Sequence, residues 1–329
     1  MHPERRTLKR IGLVGLGLIG RERLQAASMS GLTVVGAVDT QIPVGNLDHD
    51  IDMVPTVDAL LAHNPDLVTI AIPHDVAGGV AIQCLNAGVN VLMEKPLGRD
   101  LAEATLISSA QQRSGQLTVG FNYRFFAGIR RLIEDVQAGV FGDLVSVAIA
   151  LGHGGSPGDE QTWKLNAERA GGGCLIDPGV HALDLMLLLL GPNLEARALS
   201  TWDGFWETGI EEEAHAILTT PQGAIGTLDV SIVRWRSEFR VEVRGTEGYG
   251  VVAGRGRSYG DQTYRRGRRW AWRGSGMPQG DTEELVCTDD CGLSFSDELR
   301  DVTSGSGWAC SNTQALAVMS LLAQFRSLR

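Results

Sequence analysis

Hydrophobic positions along this chain change their spacing about a third of the way through. Lys9 to Val14 is a short apolar run, broken by Gly15-Leu16-Gly17-Leu18-Ile19-Gly20 and followed by a helical stretch from Arg21 to Met29. Thr33 to Val38 is a second β-rich run. Asp66 to Ile72 (DLVTIAI) is apolar almost without interruption, as expected for a strand buried on both faces. Val76 to Ala87 then reads as helix, Val89 to Met93 as strand, Leu101 to Ser114 as helix and Leu117 to Phe121 as strand. Strand and helix alternating in this way predict a doubly wound parallel sheet.

From Phe125 the pattern differs. Phe125 to Gly139 is an amphipathic helix with Ile129, Leu132, Ile133 and Val136 on one face. Val145 to Leu151 is a strand, and 153–170 is polar and glycine-rich, which predicts a loop. Further strands are expected at Ala214 to Thr220, Ala224 to Val233 and Glu238 to Arg244. Their short connections imply antiparallel pairing. The segment 287–307 is turn-rich and has no readable direction, and Asn312 to Leu328 closes the chain as a helix with Leu316, Met319, Leu322 and Phe325 buried. We therefore expect two domains, 1–123 and 124–329.

The stretch Gly171 to Gly191 (GGGCLIDPGVHALDLMLLLLG) joins both kinds of signal. Three glycines let another molecule or chain segment approach the backbone closely. Asp177 suits a helix N-cap, Pro178 the first helical position, and Gly191-Pro192 a stop. On that helix Asp177, His181 and Asp184 would share one face. The alternative is a cap and one ordinary histidine.

Composition narrows the function. Of 329 residues 43% are hydrophobic and 21% charged, ordinary values for a globular protein. Lysine and arginine total 29 against 39 acids, a net charge of −10 that argues against nucleic-acid binding and against a polybasic membrane anchor. Cys84, Cys174, Cys287, Cys291 and Cys310 form no C-x-x-C pair, so they read as free thiols of a cytoplasmic protein, and no metal site is expected. No signal peptide is visible at the N-terminus, and the longest apolar run, Leu185 to Leu190, is too short to span a bilayer.

The chemistry begins at the first glycine turn. Gly15 permits the tight turn, Gly17 lets the backbone approach a pyrophosphate, and Gly20 lets helix and strand pack closely. Asp39 ends the second strand, where a carboxylate can accept both ribose hydroxyls and repels a 2′-phosphate; with no arginine or lysine following it, NAD is favoured over NADP. The other reading of Asp39 is a strand-end residue serving a turn. In a doubly wound sheet ligands bind beyond the carboxyl ends of the strands. Three such ends carry polar groups: Ile72-Pro73-His74, Glu94-Lys95-Pro96-Leu97 and Phe121-Asn122-Tyr123-Arg124. Lys95 either faces the ligand crevice or is an exposed strand-end lysine. Trp163 could stack on a ring or simply pack. Glu211-Glu212-Glu213 reads as a solvated lead into a strand, and Arg265 to Arg273 as an exposed strand or subunit contact, with a diphosphate grip as the alternative.

The order of Gly15-x-Gly17-x-x-Gly20, Glu94-Lys95-Pro96-Leu97, Phe121 to Arg124, Gly139 to Gly142 and Gly171 to Gly173 with Asp177, His181 and Asp184 resembles the glucose–fructose oxidoreductase, inositol dehydrogenase and rhizopine catabolism (Gfo/Idh/MocA) family. The resemblance implies an α/β protein: an N-terminal Rossmann domain, then an α/β domain on a large open, mostly antiparallel sheet. It implies hydride transfer at a secondary alcohol of a sugar, cyclitol or glycoside, and a dimer or tetramer formed through the open sheet. Lys95, Asp177 and His181 would be catalytic. Gly15, Gly17, Leu18, Ile19, Gly20, Asp39, Ile72, Pro73, His74, Glu94, Lys95 and Asn122 would hold the dinucleotide, and Lys95, Tyr123, Arg124, Trp163, Asp177 and His181 would meet the substrate. Many members carry histidines where this chain has Arg23 and Ala77. An NADPH-dependent ketosugar reductase and a non-catalytic NAD(H)-binding regulator are the alternatives.

Overall fold

The computed structural model describes residues 8–42, 46–47, 51–268 and 283–328, and they form two compact units. The first comprises the chain up to Asn122 together with Leu293–Leu316, and the second comprises Tyr123–Gly292 and the chain from Ala317. A division at 123/124 leaves Leu293–Leu316 with the second domain. In the structure that segment packs with the first, through Leu299, which is buried in the same core as Ile11, Leu13, Ala26 and Ala27.

Six strands form the first sheet, in the order Cys310–Ser311, Leu117–Gly120, Asn90–Glu94, Leu67–Ile70, Arg10–Val14 and Thr33–Val38. The last five run parallel, and Cys310–Ser311 adds antiparallel to the edge. The chain moves from Arg10–Val14 outward to Thr33–Val38, then crosses back to Leu67–Ile70 on the other side. That reversal puts the topological switch point, where open α/β sheets bind ligands, beside the first glycine turn. Leu67, Val68 and Ile70 are all essentially inaccessible, as their unbroken apolar run requires.

The second unit is built on eight strands, ordered Glu283–Asp289, Gln262–Arg268, Gly248–Ala253, Glu238–Gly245, Leu144–Gly152, Ile225–Ser231, Glu213–Thr219 and Glu195–Trp202. Val147, Ile149 and Leu151 point into the core with Phe239, Val241 and Leu228, while their neighbours along each strand face out. The expectation of antiparallel pairing between successive strands holds for Glu213–Thr219 with Ile225–Ser231. It fails for Ile225–Ser231 and Glu238–Gly245, which do not pair. Leu144–Gly152 lies between them, parallel to the first and antiparallel to the second. The reason is the apolar inner row of Leu144–Gly152, which is buried best as a central strand. The turn-rich segment 287–307 contains the end of the strand Glu283–Asp289 and a helix, Ser294–Ser304.

Candidate active site

In the first unit the glycine turn is forced by packing at two positions and not at the third. Gly15 has φ +90°, and a Cβ on it would lie 2.3 Å from the Ala71 carbonyl oxygen; a Cβ on Gly20 would lie 2.0 Å from the Gly15 oxygen. Gly17 is different. A Cβ there would meet nothing within 4 Å, so the protein's own packing does not demand glycine, whereas a pyrophosphate drawn close to this backbone would. Gly17 precedes the helix Leu18–Met29, whose N-terminus has no side-chain cap, and Leu18 and Ile19 are exposed there. Asp39 braces the turn: its Oδ2 accepts from the Leu16 N–H at 2.7 Å and its Oδ1 from Gln41 N–H at 2.7 Å. Asp39 thus serves its turn, and each oxygen keeps a second lone pair for a ribose hydroxyl. These residues fit a dinucleotide.

Along the same strand ends, Ile72 and Pro73 are half-buried and His74 begins the helix His74–Asn86. Lys95 is half-buried before Pro96, to which it is joined by a cis peptide. Glu94 and Asn122 are committed elsewhere. The Glu94 carboxylate receives Arg23, at 2.5 Å from Nη2 and 2.7 Å from Nε, and Arg23 also meets Glu298 at 2.6 Å. Arg23 is 1% and Glu298 0% exposed, so Arg23 is the centre of a buried ionic triad. The Asn122 amide donates to the Ser294 hydroxyl at 3.1 Å.

In the second unit the helix is Gly179–Leu190, capped at its end by Gly191 with φ +90°. Asp177 does not cap it, because Pro178 occupies the N-cap position and the Asp177 carboxylate turns to Lys164 at 3.4 Å. The single face of Asp177, His181 and Asp184 is therefore not formed. Asp184 is bound on both oxygens by Arg124, at 2.8 Å from Nε and 2.5 Å from Nη2, with both residues about 2% exposed or less. Arg124 thereby anchors the His181 helix from inside the unit, with both ends of the pair buried. Tyr123 lies flat against His181, centroids 3.8 Å apart and planes 8° from parallel, and its own hydroxyl pKa is pushed up by burial. The stack fixes the plane of the imidazole.

Around Asp177 stand His153 and Lys164, both from the segment 153–170 read as a loop, and Arg255, which the sequence reading did not single out. His153, at the end of Leu144–Gly152, accepts from Gly155 N–H on Nδ1 at 3.1 Å, so its neutral form carries the proton on Nε2. Burial lowers its pKa; Lys164 and Arg255 lower it further, against Asp177. The Lys164 pKa is raised, chiefly by Asp177. The Arg255 guanidinium lies over Tyr259 at 3.9 Å and Tyr123 at 5.2 Å. A polar residue just past a buried strand was the available signal for His153; nothing local marks Arg255. Trp163 sits half-buried in a short turn beside Lys164.

The glycine run serves the chain itself. A Cβ on Gly173 would fall 1.9 Å from the Glu211 carbonyl oxygen, and Arg326 donates to the Gly171 carbonyl. Glu211 and Glu212 are buried, not solvated, because Glu212 accepts from the N–H groups of Gly204, Phe205 and Trp206. Glu213, His215 and Asp229 on the outer sheet face bring ligand atoms within 4.8 Å of one another, but Arg234 already lies among these carboxylates. Of the basic cluster, Arg265–Arg268 belongs to the strand Gln262–Arg268, where Arg266 pairs with Asp135 and Glu284; the remainder lies outside the described residues.

Two family models match this chain. Residues 9–121 match an oxidoreductase family with an NAD-binding Rossmann fold, and residues 129–250 match the GFO/IDH/MocA C-terminal domain. The chain belongs to the Gfo/Idh/MocA family. D-glucoside 3-dehydrogenase of Escherichia coli is 35% identical over 136 residues, 40% of this chain and 38% of that protein. Other curated relatives align over 57% of their length, so the chain spans about half the length of the relatives it matches. KijD10, a 3-ketoreductase from Actinomadura kijaniata in complex with NADP and TDP-benzene, superposes with a TM-score of 0.78 at 21% identity, covering 97% of each chain. GenD2 from gentamicin A biosynthesis, in complex with NAD, gives 0.77 at 23% identity, covering 99% of this chain and 95% of that one. At these identities the likeness is one of fold: a Rossmann unit followed by a mostly antiparallel sheet. The family member described here is an NAD(P)-binding protein by its matched domain.

Proposed function

We propose that this Gfo/Idh/MocA member is an NAD-dependent oxidoreductase that moves a hydride between a secondary alcohol of a sugar, cyclitol or glycoside and nicotinamide. The observation that carries the reading is Gly17, a glycine whose missing side chain leaves open space at an uncapped helix N-terminus, above a strand-end Asp39. Gly15, Gly17, Leu18, Ile19 and Gly20 would hold the dinucleotide with Ile72, Pro73 and His74, and Asp39 would accept the ribose hydroxyls and repel a 2′-phosphate. Nicotinamide, when bound, supplies the hydride acceptor. On the protein's side, His181 takes the hydroxyl proton, and the plane of its imidazole is fixed by Tyr123. Asp177 orients the substrate hydroxyl with Lys164 at its side, and Lys95 stabilises developing alkoxide charge.

Five free cysteines suit a reducing cytoplasm. No helix among the described residues is long and apolar enough to cross a membrane. Ile217 and Ile225, each 45% exposed on the outer sheet face, favour self-association there into a dimer or tetramer.

The test is an absorbance screen for reduced nicotinamide, with NAD⁺ and NADP⁺ in parallel, across hexoses, inositols, aminoglycosides and nucleotide sugars, repeated with His181→Asn. Reduction of NAD⁺ by one polyol class, with kcat lowered roughly 10²- to 10⁴-fold in the variant, is the expected result. Preference for NADP⁺ overturns the role of Asp39; an unchanged kcat removes His181.

A further inference from the structure

The second unit carries a group of aromatic rings that the chemistry above does not use. Phe205, 47% exposed, meets Trp206 edge-on at 4.9 Å and Trp235 edge-on at 5.9 Å, and Trp235 is 88% exposed. An indole left almost wholly in water forgoes the burial that makes tryptophan useful to a fold. The group is nevertheless built. Glu212, fully buried, accepts from Phe205 N–H at 2.8 Å and Gly204 N–H at 3.2 Å on one oxygen and from Trp206 N–H at 2.8 Å on the other. The turn is fixed before any ligand arrives, which lowers the ordering cost of binding.

Its position is also fixed. His153 N–H donates to the Ser231 carbonyl and Arg234 N–H to the His153 carbonyl, so Trp235 directly follows the backbone that holds His153. His153 in turn lies in the field of Asp177 and Lys164. Between them Gly154 and Gly155 present no side chains: a Cβ on Gly155 would lie 2.8 Å from the Trp206 ring, and one on Gly154 3.6 Å from the Trp235 Cα. The Asp159 carboxylate stands beside this contact of Gly155 with the Trp206 ring, 3.1 Å from that Gly155 Cβ position. Arg234 is neutralised by Asp229 and Glu238. A diphosphate linker would therefore meet negative charge here, while an uncharged ring would not.

We propose that Phe205, Trp206 and Trp235 form a subsite that stacks the ring joined to the reacting sugar through its glycosidic oxygen, so that the substrate is a glycoside. The proposal rests on the oxidoreductase reading and deepens it. The occupant is an uncharged ring with an apolar face, either a second sugar or an aryl aglycone.

The experiment compares kcat/KM for the reactive sugar supplied free, as its phenyl glycoside, as a disaccharide and as a nucleoside diphosphate sugar, with wild type and Trp235→Ala, alongside the elution volume of both proteins. An advantage of about tenfold or more for the phenyl glycoside or the disaccharide, carried by KM and abolished in Trp235→Ala, is expected from loss of one aromatic stack; the better of the two arms identifies the ring. Equal kcat/KM for free and ring-bearing forms overturns the subsite, as does an advantage confined to the nucleotide sugar. A changed elution volume with an intact preference overturns it in favour of a contact between copies. If no form is oxidised, the oxidoreductase reading falls by itself. Quenching of tryptophan fluorescence by the phenyl glycoside, present in wild type and lost in Trp235→Ala, then decides the subsite: no quenching overturns it.

Discussion

Replacing Arg23 with methionine isolates the buried triad from every other feature of the first unit. Arg23 meets Glu94 at 2.5 Å and Glu298 at 2.6 Å, and its guanidinium lies 4.8 Å from the centroid of the Phe295 ring. At an effective dielectric of about 20 and a separation of about 4 Å between charge centres, each attraction is worth about 4 kcal/mol, against which stand the repulsion of the two carboxylates and the cost of dehydrating all three groups. The intact triad is therefore close to break-even. Its broken form is not, since Glu298 is 0% exposed and loses the guanidinium 2.6 Å away. Removing one partner of a buried ionic group typically costs about 3–5 kcal/mol. In a unit of this size that is a fall of roughly 10 °C in midpoint. Urea and thermal unfolding of wild type, Arg23→Met and Arg23→Met/Glu298→Leu provide the assay. The double variant should recover at least half of the loss, because it removes the stranded charge together with the cation. A loss below about 1 kcal/mol in the single variant, or no recovery in the double, would mean that the triad does not hold the Glu298 charge in place.

The remaining expectations use the same logic at other sites. Gly17→Ala should leave the thermal midpoint unchanged while weakening NADH binding at least tenfold by fluorescence titration, whereas Gly20→Ala, whose Cβ would strike the Gly15 carbonyl at 2.0 Å, should lower the midpoint itself. Equal midpoints for the two would contradict the packing. Burial lowers the His153 pKa below its ordinary value, so as pH falls through about 6.5 the unfolded chain takes up a proton before the folded one. Stability should drop across that window, and His153→Gln should flatten the drop in urea midpoints measured at pH 7.5 and 5.5. Glu212→Leu removes the acceptor of three N–H groups and should cost about 2–4 kcal/mol and increase hydrogen exchange at 204–206, an effect absent if water replaces the carboxylate.

Features that depend on neighbouring positions were legible in the sequence alone. The apolar runs, the helix periods and the first glycine turn are statements about residues a few places apart, and strands such as Leu67–Ile70 and helices such as Ala127–Gln137 lie where those patterns put them. Gly15, Gly20 and Asp39 were legible for the same reason, since turn geometry is local. The helix of His181 was legible in extent, but its first turn was not. Asp177 has the chemistry of a cap, yet Lys164 from another loop takes its carboxylate. Ion pairs and burial join residues that are distant along the chain, and no local pattern encodes them. Arg124 gave no sign of Asp184, Glu212 looked like a surface acid until the turn 204–206 folded onto it, and Arg23 gave no sign of Glu298 nearly a whole chain away. Strand order is equally non-local, which is why Leu144–Gly152 could separate two strands that follow one another in sequence. Hydrophobic spacing sets which segments become strands and helices; dehydration of charge and competition for a central place in the sheet decide which of them meet.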